Sequence, residues 1–183
     1  MTAAPRRWVA ELLHVWFHHL RPADWWGGSD EIDSLLRARF GDDLAMMRHR
    51  PAGDFLTDPQ TARAAILLFD QVPRNIHRGT PQAFASDPLA RAITRGVIAR
   101  GWDLRAPRKS RQFIYMPLMH SEAIADQRAS LAVFAAQAPA NLGFARAHYR
   151  MIARFGRFPH RNAVLGRSSS AAERAAVAEG FAW

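Results

Sequence analysis

Two histidines stand where apolar residues would be expected. His120 and Gln127 recur at helical spacing with Ile124, Leu131 and Phe134, and His148 does so with Phe144, Met151 and Phe155. Imidazoles on two successive helices are therefore expected to face inward, with Glu122 and Asp126 on a different flank of the first. A buried imidazole is either a hydrogen-bonded core group or, beside a carboxylate in a cleft, a general base. A second signal is the run Ala62 to Phe69, apolar on every side, which delivers Asp70 and Gln71 just before Pro73. A carboxylate there faces desolvation together with the negative end of the helix dipole, so it needs a cation. Arg74 and Arg78, with Asn75 between them, are the nearest partners. Such a pair either fixes the turn around Pro73 or holds a ligand.

Arg146, Arg150, Arg154 and Arg157 form a same-sign ladder at spacings of four, four and three. Like charges at helical spacing repel, so a counter-charge is expected, either Glu122 and Asp126 or a phosphate. The following segment, RFPHRN, brings Arg157, His160, Arg161 and Asn162 into a loop bent by Gly156 and Pro159. His14 and His18 have the spacing of a metal pair but lie opposite the apolar stripe of the first helix, as does a solvated face. No metal site and no cofactor are expected, and phosphate-loop, dinucleotide and nucleophile-elbow motifs are absent. The tryptophans read as packing, although Trp25-Trp26 before Gly27-Gly28 could leave one ring exposed for stacking.

The elements that must position these groups are helices. Val9, Leu12, Leu13, Trp16, Phe17 and Leu20 mark a first helix behind Pro5 that Pro22 stops, and Ile32, Leu35, Leu36 and Phe40 mark a second closed by Gly41. Asp58-Pro59, Thr80-Pro81 and Asp87-Pro88 are N-cap and first-turn pairs, the last opening a helix that Gly101 ends. Pro117 is expected to start a helix running to about Gln137, Pro139 another to Gly156, and Ser170 with Glu173 a capping box. No hairpin turn joins alternating apolar runs. The expected fold is all-α, with antiparallel helix hairpins in a single domain over residues 1–183.

Composition bounds the function. The 183 residues are 49% hydrophobic and 22% charged, ordinary for a globule and too regular for disorder. No cysteine is present, which excludes a disulfide scaffold, a thiolate metal site and a cysteine nucleophile. No membrane span or secretion signal is evident, so a cytoplasmic protein is expected. The formal charge is +9 and Lys109 is the only lysine, with a pI near 11.4. A guanidinium-rich surface suits anionic partners, RNA included. The same bias, with alanine abundant, is what GC-rich coding produces without any ligand.

Three stretches are similar to the signature blocks of an uncharacterised, mostly bacterial family, domain of unknown function 924. They are residues 66–88 (ILLFDQVPRNIHRGTPQAFASDP), residues 111–122 (RQFIYMPLMHSE) with Asp126-Gln127, and His148 through IARFGRFPHRNAVLGR to Arg167. The opening Val15-Trp16-Phe17 and Trp25-Trp26 also resemble the family's, whereas residues 46–58 depart from it. The resemblance implies a helical fold similar to the tetratricopeptide superfamily, with hairpins stacked in a right-handed array, and no activity. It favours Arg154, Arg157, Arg161 and Arg167 over Arg146 and Arg150, which fall outside the blocks. Three functional readings follow. In the first, Arg74, Arg78, Arg154, Arg157, Arg161 and Arg167 hold an anionic small molecule or single-stranded RNA, Asn75, His160 and Asn162 assist, and Asp70 and Glu122 fix the guanidinium groups. In the second, His120 or His148 is the general base of a hydrolase or transferase. In the third, the motifs lock helices together and the chain docks a protein partner.

Overall fold

The computed structural model describes residues 7–180, and among them every regular element is helical, with no strand. The helices group into two compact units, one built from the chain up to residue 78 with residues 82–106, the other from residues 79–81 and the chain from 107 onward.

In the first unit, α1 (Arg7–His14) runs on through a wider π-helical turn, Val15–His19, and stops at the extended Leu20 ahead of Pro22. Pro5 lies outside the described residues. The second helix, α2 (Asp30–Met47), begins at Ser29, whose hydroxyl accepts from the Ile32 amide. Gly41, expected to close α2, lies inside it. Leu44 and Met47 extend the buried stripe of Leu36 and Phe40. Burying each such side chain contributes about 1.5–3 kcal/mol, which outweighs the roughly 1 kcal/mol that an interior glycine costs.

Helix α3 (Pro59–Ile66) is capped by Asp58, whose Oδ1 accepts from the amides of Gln60 and Thr61 at 3.0 Å. It continues through a π-turn, Leu67–Gln71, into α4 (Val72–Ile76), so Pro73 does not end the segment as its type suggests. Pro73 has no N–H to offer the Phe69 carbonyl, and the widened turn just ahead of it accommodates the missing bond. Ala62, Ala64 and Ala65 are fully buried, which lets α3 pack against α1 and α5 (Asp87–Ala99), while α2 packs against α4. A Cβ on Gly96 of α5 would run into the Leu56 side chain, which would have to shift to make room. Helix α5 is followed by Gly101 in the left-handed region. Its first turn corrects an expectation: Ser86 holds the N-cap position and Asp87 lies inside the helix, its carboxylate turned to Arg74. Thr80-Pro81 opens only a single 3-10 turn, Pro81–Phe84.

The second unit contains α6 (Arg108–Met119), α7 (Ile124–Gln137), α8 (Leu142–Phe155) and α9 (Ala171–Ala178). Connections of a few residues make α6, α7 and α8 successive antiparallel neighbours, and the three pack together. Pro117, expected to begin a helix, is an interior residue of α6, and the next helix starts at Ile124. Every residue from Phe113 to Met119 is buried, so packing on all sides holds that turn although one donor is missing. His120 is consequently the C-cap residue of α6 and not part of the α7 stripe. Gly156 closes α8 at φ 69°, and α9 carries the expected capping box of Ser170 and Glu173.

Candidate functional site

In the first unit the polar motif after the buried helix forms two clamps. The Arg74 guanidinium grips Asp87 with both ends of its fork at 3.0 Å, reaches Asp70 Oδ1 at 3.3 Å and donates to the Asp70 carbonyl. Burial opposes the charge of Arg74, but the fields of Asp70 and Asp87 outweigh it and raise the guanidinium's pKa. Gln71 Nε2 donates to the second Asp70 oxygen at 2.5 Å. Arg78 does not share Asp70, as its position suggests. It donates through Nε and Nη2 at 3.0 Å to Asp33 of α2, which also accepts from Asn75 Nδ2 at 2.9 Å. The Arg78 guanidinium lies over Gly28, where a Cβ would sit 3.3 Å from it. That contact accounts for one glycine of the Trp-Trp-Gly-Gly segment. Trp25 donates to the Trp16 carbonyl at 2.8 Å, while Trp26 is exposed.

In the second unit the motif residues cap one helix end. The last carbonyls of a helix lack partners within it. Here Gln127 Nε2 donates to the carbonyls of Met119 and Ser121 at 2.6 and 2.7 Å, and Arg161 Nη1 donates to that of His120 at 3.1 Å. Ser121 Oγ donates to Asp126 at 2.7 Å. Glu122 accepts the Phe158 amide at 2.8 Å and both ends of the Arg167 fork at 2.8 and 2.9 Å. Burial would raise the Glu122 pKa, but Arg167, the Phe158 amide and the nearby Arg161 together lower it.

The ion-pair partner of Glu122 is thus Arg167 and not an α8 arginine, although its field also reaches Arg157. Arg157 instead pairs with Glu173 at 2.7 and 3.0 Å, and with the Ser170 amide it holds that carboxyl down at about 2. Arg154 lies over the Phe155 ring, and Arg146, Arg150 and Arg154 are exposed. Asn162 is buried and donates to Ser169 Oγ at 3.0 Å.

The histidines meet around Phe158. The rings of His120 and His148 lie 6.0 Å apart, His148 stands edge-on to Phe158 at 5.4 Å, His160 lies 5.6 Å from the same ring, and the Arg161 guanidinium sits over it at 4.5 Å. His148 is 5% exposed and its Nδ1 contacts the Phe144 carbonyl at 2.9 Å. A carbonyl only accepts, so Nδ1 carries the proton and the lone pair is on Nε2. Desolvation first, then His120, Arg161 and His160, push the His148 pKa down to about 3, against the carbonyl's opposing pull. No group of three or more metal-ligating side chains converges among the described residues, and His14 and His18 are exposed.

The motif residues therefore fall in two units, with Asp70, Arg74, Asn75 and Arg78 in the first and His120, Glu122, His148, Arg154, Arg157, His160, Arg161, Asn162 and Arg167 in the second. Asp33, Asp87, Ser121 and Glu173 complete their pairings; the spacing of the chain marks Asp87 and Glu173 only as helix-start residues and does not single out Asp33 or Ser121.

The first unit also holds a cleft of about 510 Å³ lined by Val9, Ala10, residues 58–61, Arg63, Trp102, Arg105 and Ala106. Its walls come from α1, the start of α3 and the turn after α5, three segments outside the signature blocks. Arg63 is partly buried with its guanidinium over the Phe17 ring at 5.4 Å, and burial lowers its pKa. Among the described residues no helix is long and apolar enough to cross a membrane.

A family model described as a bacterial protein of unknown function matches residues 12–180. The solved structure of a protein of unknown function from Agrobacterium tumefaciens is similar at a TM-score of 0.88 and 34% identity, over 94% of this chain and 97% of that one. No curated protein matches the chain. With a match that takes in both units and every motif residue named above, the chain belongs to the bacterial family DUF924.

Proposed function

We propose that the protein is a helical binding module for a small anion taken up in the cleft of the first unit, with the motif arginines acting as internal clamps. The observation that carries this reading is the placement of guanidinium groups. Arg74, Arg78, Arg157 and Arg167 each hold a carboxylate with a two-pronged grip. A phosphate bound by one of them would have to displace the carboxylate already held there. Arg105 is exposed and lines a cleft together with Arg63, and among the described lining residues the acid is Asp58, whose oxygens accept from Gln60 N, Thr61 N and Thr61 Oγ1.

His148 supports binding over proton transfer. A general base works best with a pKa near the operating pH, and this imidazole lies far below it, at about 3. An RNA track continuing from α8 into the following loop is less well supported, because its loop arginines Arg157 and Arg167 are engaged by Glu173 and Glu122, which leaves only the exposed Arg146, Arg150 and Arg154 of α8 itself.

Calorimetric titration at low ionic strength with inorganic phosphate, acetate and benzoate tests the reading. At least one of the three should bind saturably at one site per chain, and the Arg63→Gln/Arg105→Gln variant should bind it at least tenfold more weakly, since each charged hydrogen bond contributes about 1.5–3 kcal/mol. No saturable binding by any of them, or equal binding by the variant, would contradict it.

A further inference from the structure

Charge is divided unequally between the two units. The first carries fourteen Arg side chains against twelve Asp and Glu, a surplus of two, whereas the second carries eleven Arg and Lys against four Asp and Glu, a surplus of seven. GC-rich coding enriches arginine throughout a chain, so it does not explain why acids are scarce in one unit alone. From this imbalance and the outward face of α8 we infer that the second unit binds the phosphodiester backbone of a nucleic acid along Arg146, Arg150 and Arg154. The role is independent of the small-anion cleft of the first unit.

The four carboxylates of the second unit do little to offset the surplus at its surface. Asp126 and Glu173 are buried, and Glu122 is partly buried and held by both ends of the Arg167 fork. Glu179 is the one exposed acid among the described residues of that unit. Seven cations of the same unit are exposed, among them Arg128 of α7 and the three arginines of α8. Clustering of this kind is the electrostatic footprint of a nucleic-acid surface.

Helix α8 contains no acidic residue. Its three arginines stand one turn apart and repel one another, so the ladder calls for an anion. Among the described residues no carboxylate pairs with any of the three, because Glu122 and Glu173 are engaged by Arg167 and Arg157 in the loop beyond. Four residues of helix rise about 6 Å, which spreads the guanidinium groups over about 12 Å. That is the length of about three to four nucleotides at ~3.4 Å per strand.

The face between the arginines selects among polyanions. Gly143 and Ala153 share their side of the helix, and Phe144, although exposed, lies on a different flank. A protein partner or a bilayer needs an apolar anchor at such a surface. A phosphate backbone needs only the row of charges, and a guanidinium fork grips phosphate with two donors while its plane stacks on bases.

The experiment is an anisotropy titration of the whole chain against a fluorescein-labelled oligouridylate at several potassium chloride concentrations. Wild type is compared with Arg146→Gln/Arg150→Gln/Arg154→Gln and with a charge-matched control, Arg7→Gln/Arg39→Gln/Arg48→Gln, at exposed positions of the first unit. Each contacted phosphate contributes about −0.7 to the slope of log K against log salt, so the α8 variant should flatten that slope by about 2 and bind at least about tenfold more weakly at low salt. The control should keep the wild-type slope. Melting curves check folding, and Arg150→Gln alone, with a slope flatter by about 0.7, serves if the triple variant does not fold. Absence of binding, binding without salt dependence, or equal losses in the two triple variants would overturn the proposal. So would polyglutamate displacing the oligouridylate at equal charge, or phosphatidylserine vesicles binding more tightly than it does, since either would give the surface to an acidic protein or to a membrane.

Discussion

Arg74→Met should lower the unfolding free energy by about 3–5 kcal/mol, read from the urea midpoint at pH 7. Methionine keeps much of the stem's volume, so the loss is mainly electrostatic. It strands Asp87, whose two oxygens the fork holds at 3.0 Å, and Asp70, which is fully buried. A buried acid deprived of its cation costs far more than the intact pair contributes, which sets the magnitude. Adding Asp70→Asn and Asp87→Asn to the same chain should recover much of the loss, because neutral amides leave no buried charge behind. A guanidinium held in reserve for a ligand would behave otherwise. Its removal would cost under about 1 kcal/mol, as for an ordinary surface change.

The protein should lose stability on mild acidification, beginning near pH 6.5 and well above the range where carboxylates titrate. The His148 pKa is depressed to about 3 in the folded state from an ordinary 6.5, so between those values the unfolded chain binds a proton that the native chain refuses. Stability from this group is fully present above 6.5 and falls as pH drops, at up to about 1.4 kcal/mol per pH unit. Roughly 2 kcal/mol should therefore be gone by pH 5. His77, also lowered by burial and by Arg37 and Arg48, adds in the same direction. The lowered pKa values of Glu122 and Glu173 act only below the ordinary carboxylate range. Urea unfolding at pH 7 and pH 5 should show the slope in wild type and a flatter one in His148→Gln. Equal slopes would place the titrating group elsewhere.

Local signals in the chain translated well into structure. Asp58 before Pro59, Ser170 with Glu173, and Gly101 and Gly156 in left-handed turns each act within a few residues of themselves, and each sits where its chemistry requires. The inward face of His148 followed equally from spacing. Proline misleads twice: Pro73 suggests a helix end and Pro117 a helix start, yet a widened turn or dense burial on all sides carries the helix through each. The partners of the arginines were beyond reach for a different reason. Arg78 lies 45 residues from Asp33, and Arg167 lies 45 from Glu122, separations over which chain spacing says nothing of register. Arg74 had Asp70 one turn away and took Asp87 as its main grip. The cleft was least legible of all. Val9, Asp58 and Trp102 come from three elements, and each alone looks like packing or a cap.

The most direct measurement is an amide chemical-shift map of the isotopically labelled chain titrated with benzoate. Saturable shifts should gather at residues 9–10, 58–63 and 102–106, with the clamps around Asp33, Asp87 and Glu122 undisturbed. Shifts gathered instead at residues 120–122, 148 and 157–167 would mean that the histidine and arginine motifs meet the ligand themselves, contradicting their assignment as internal clamps.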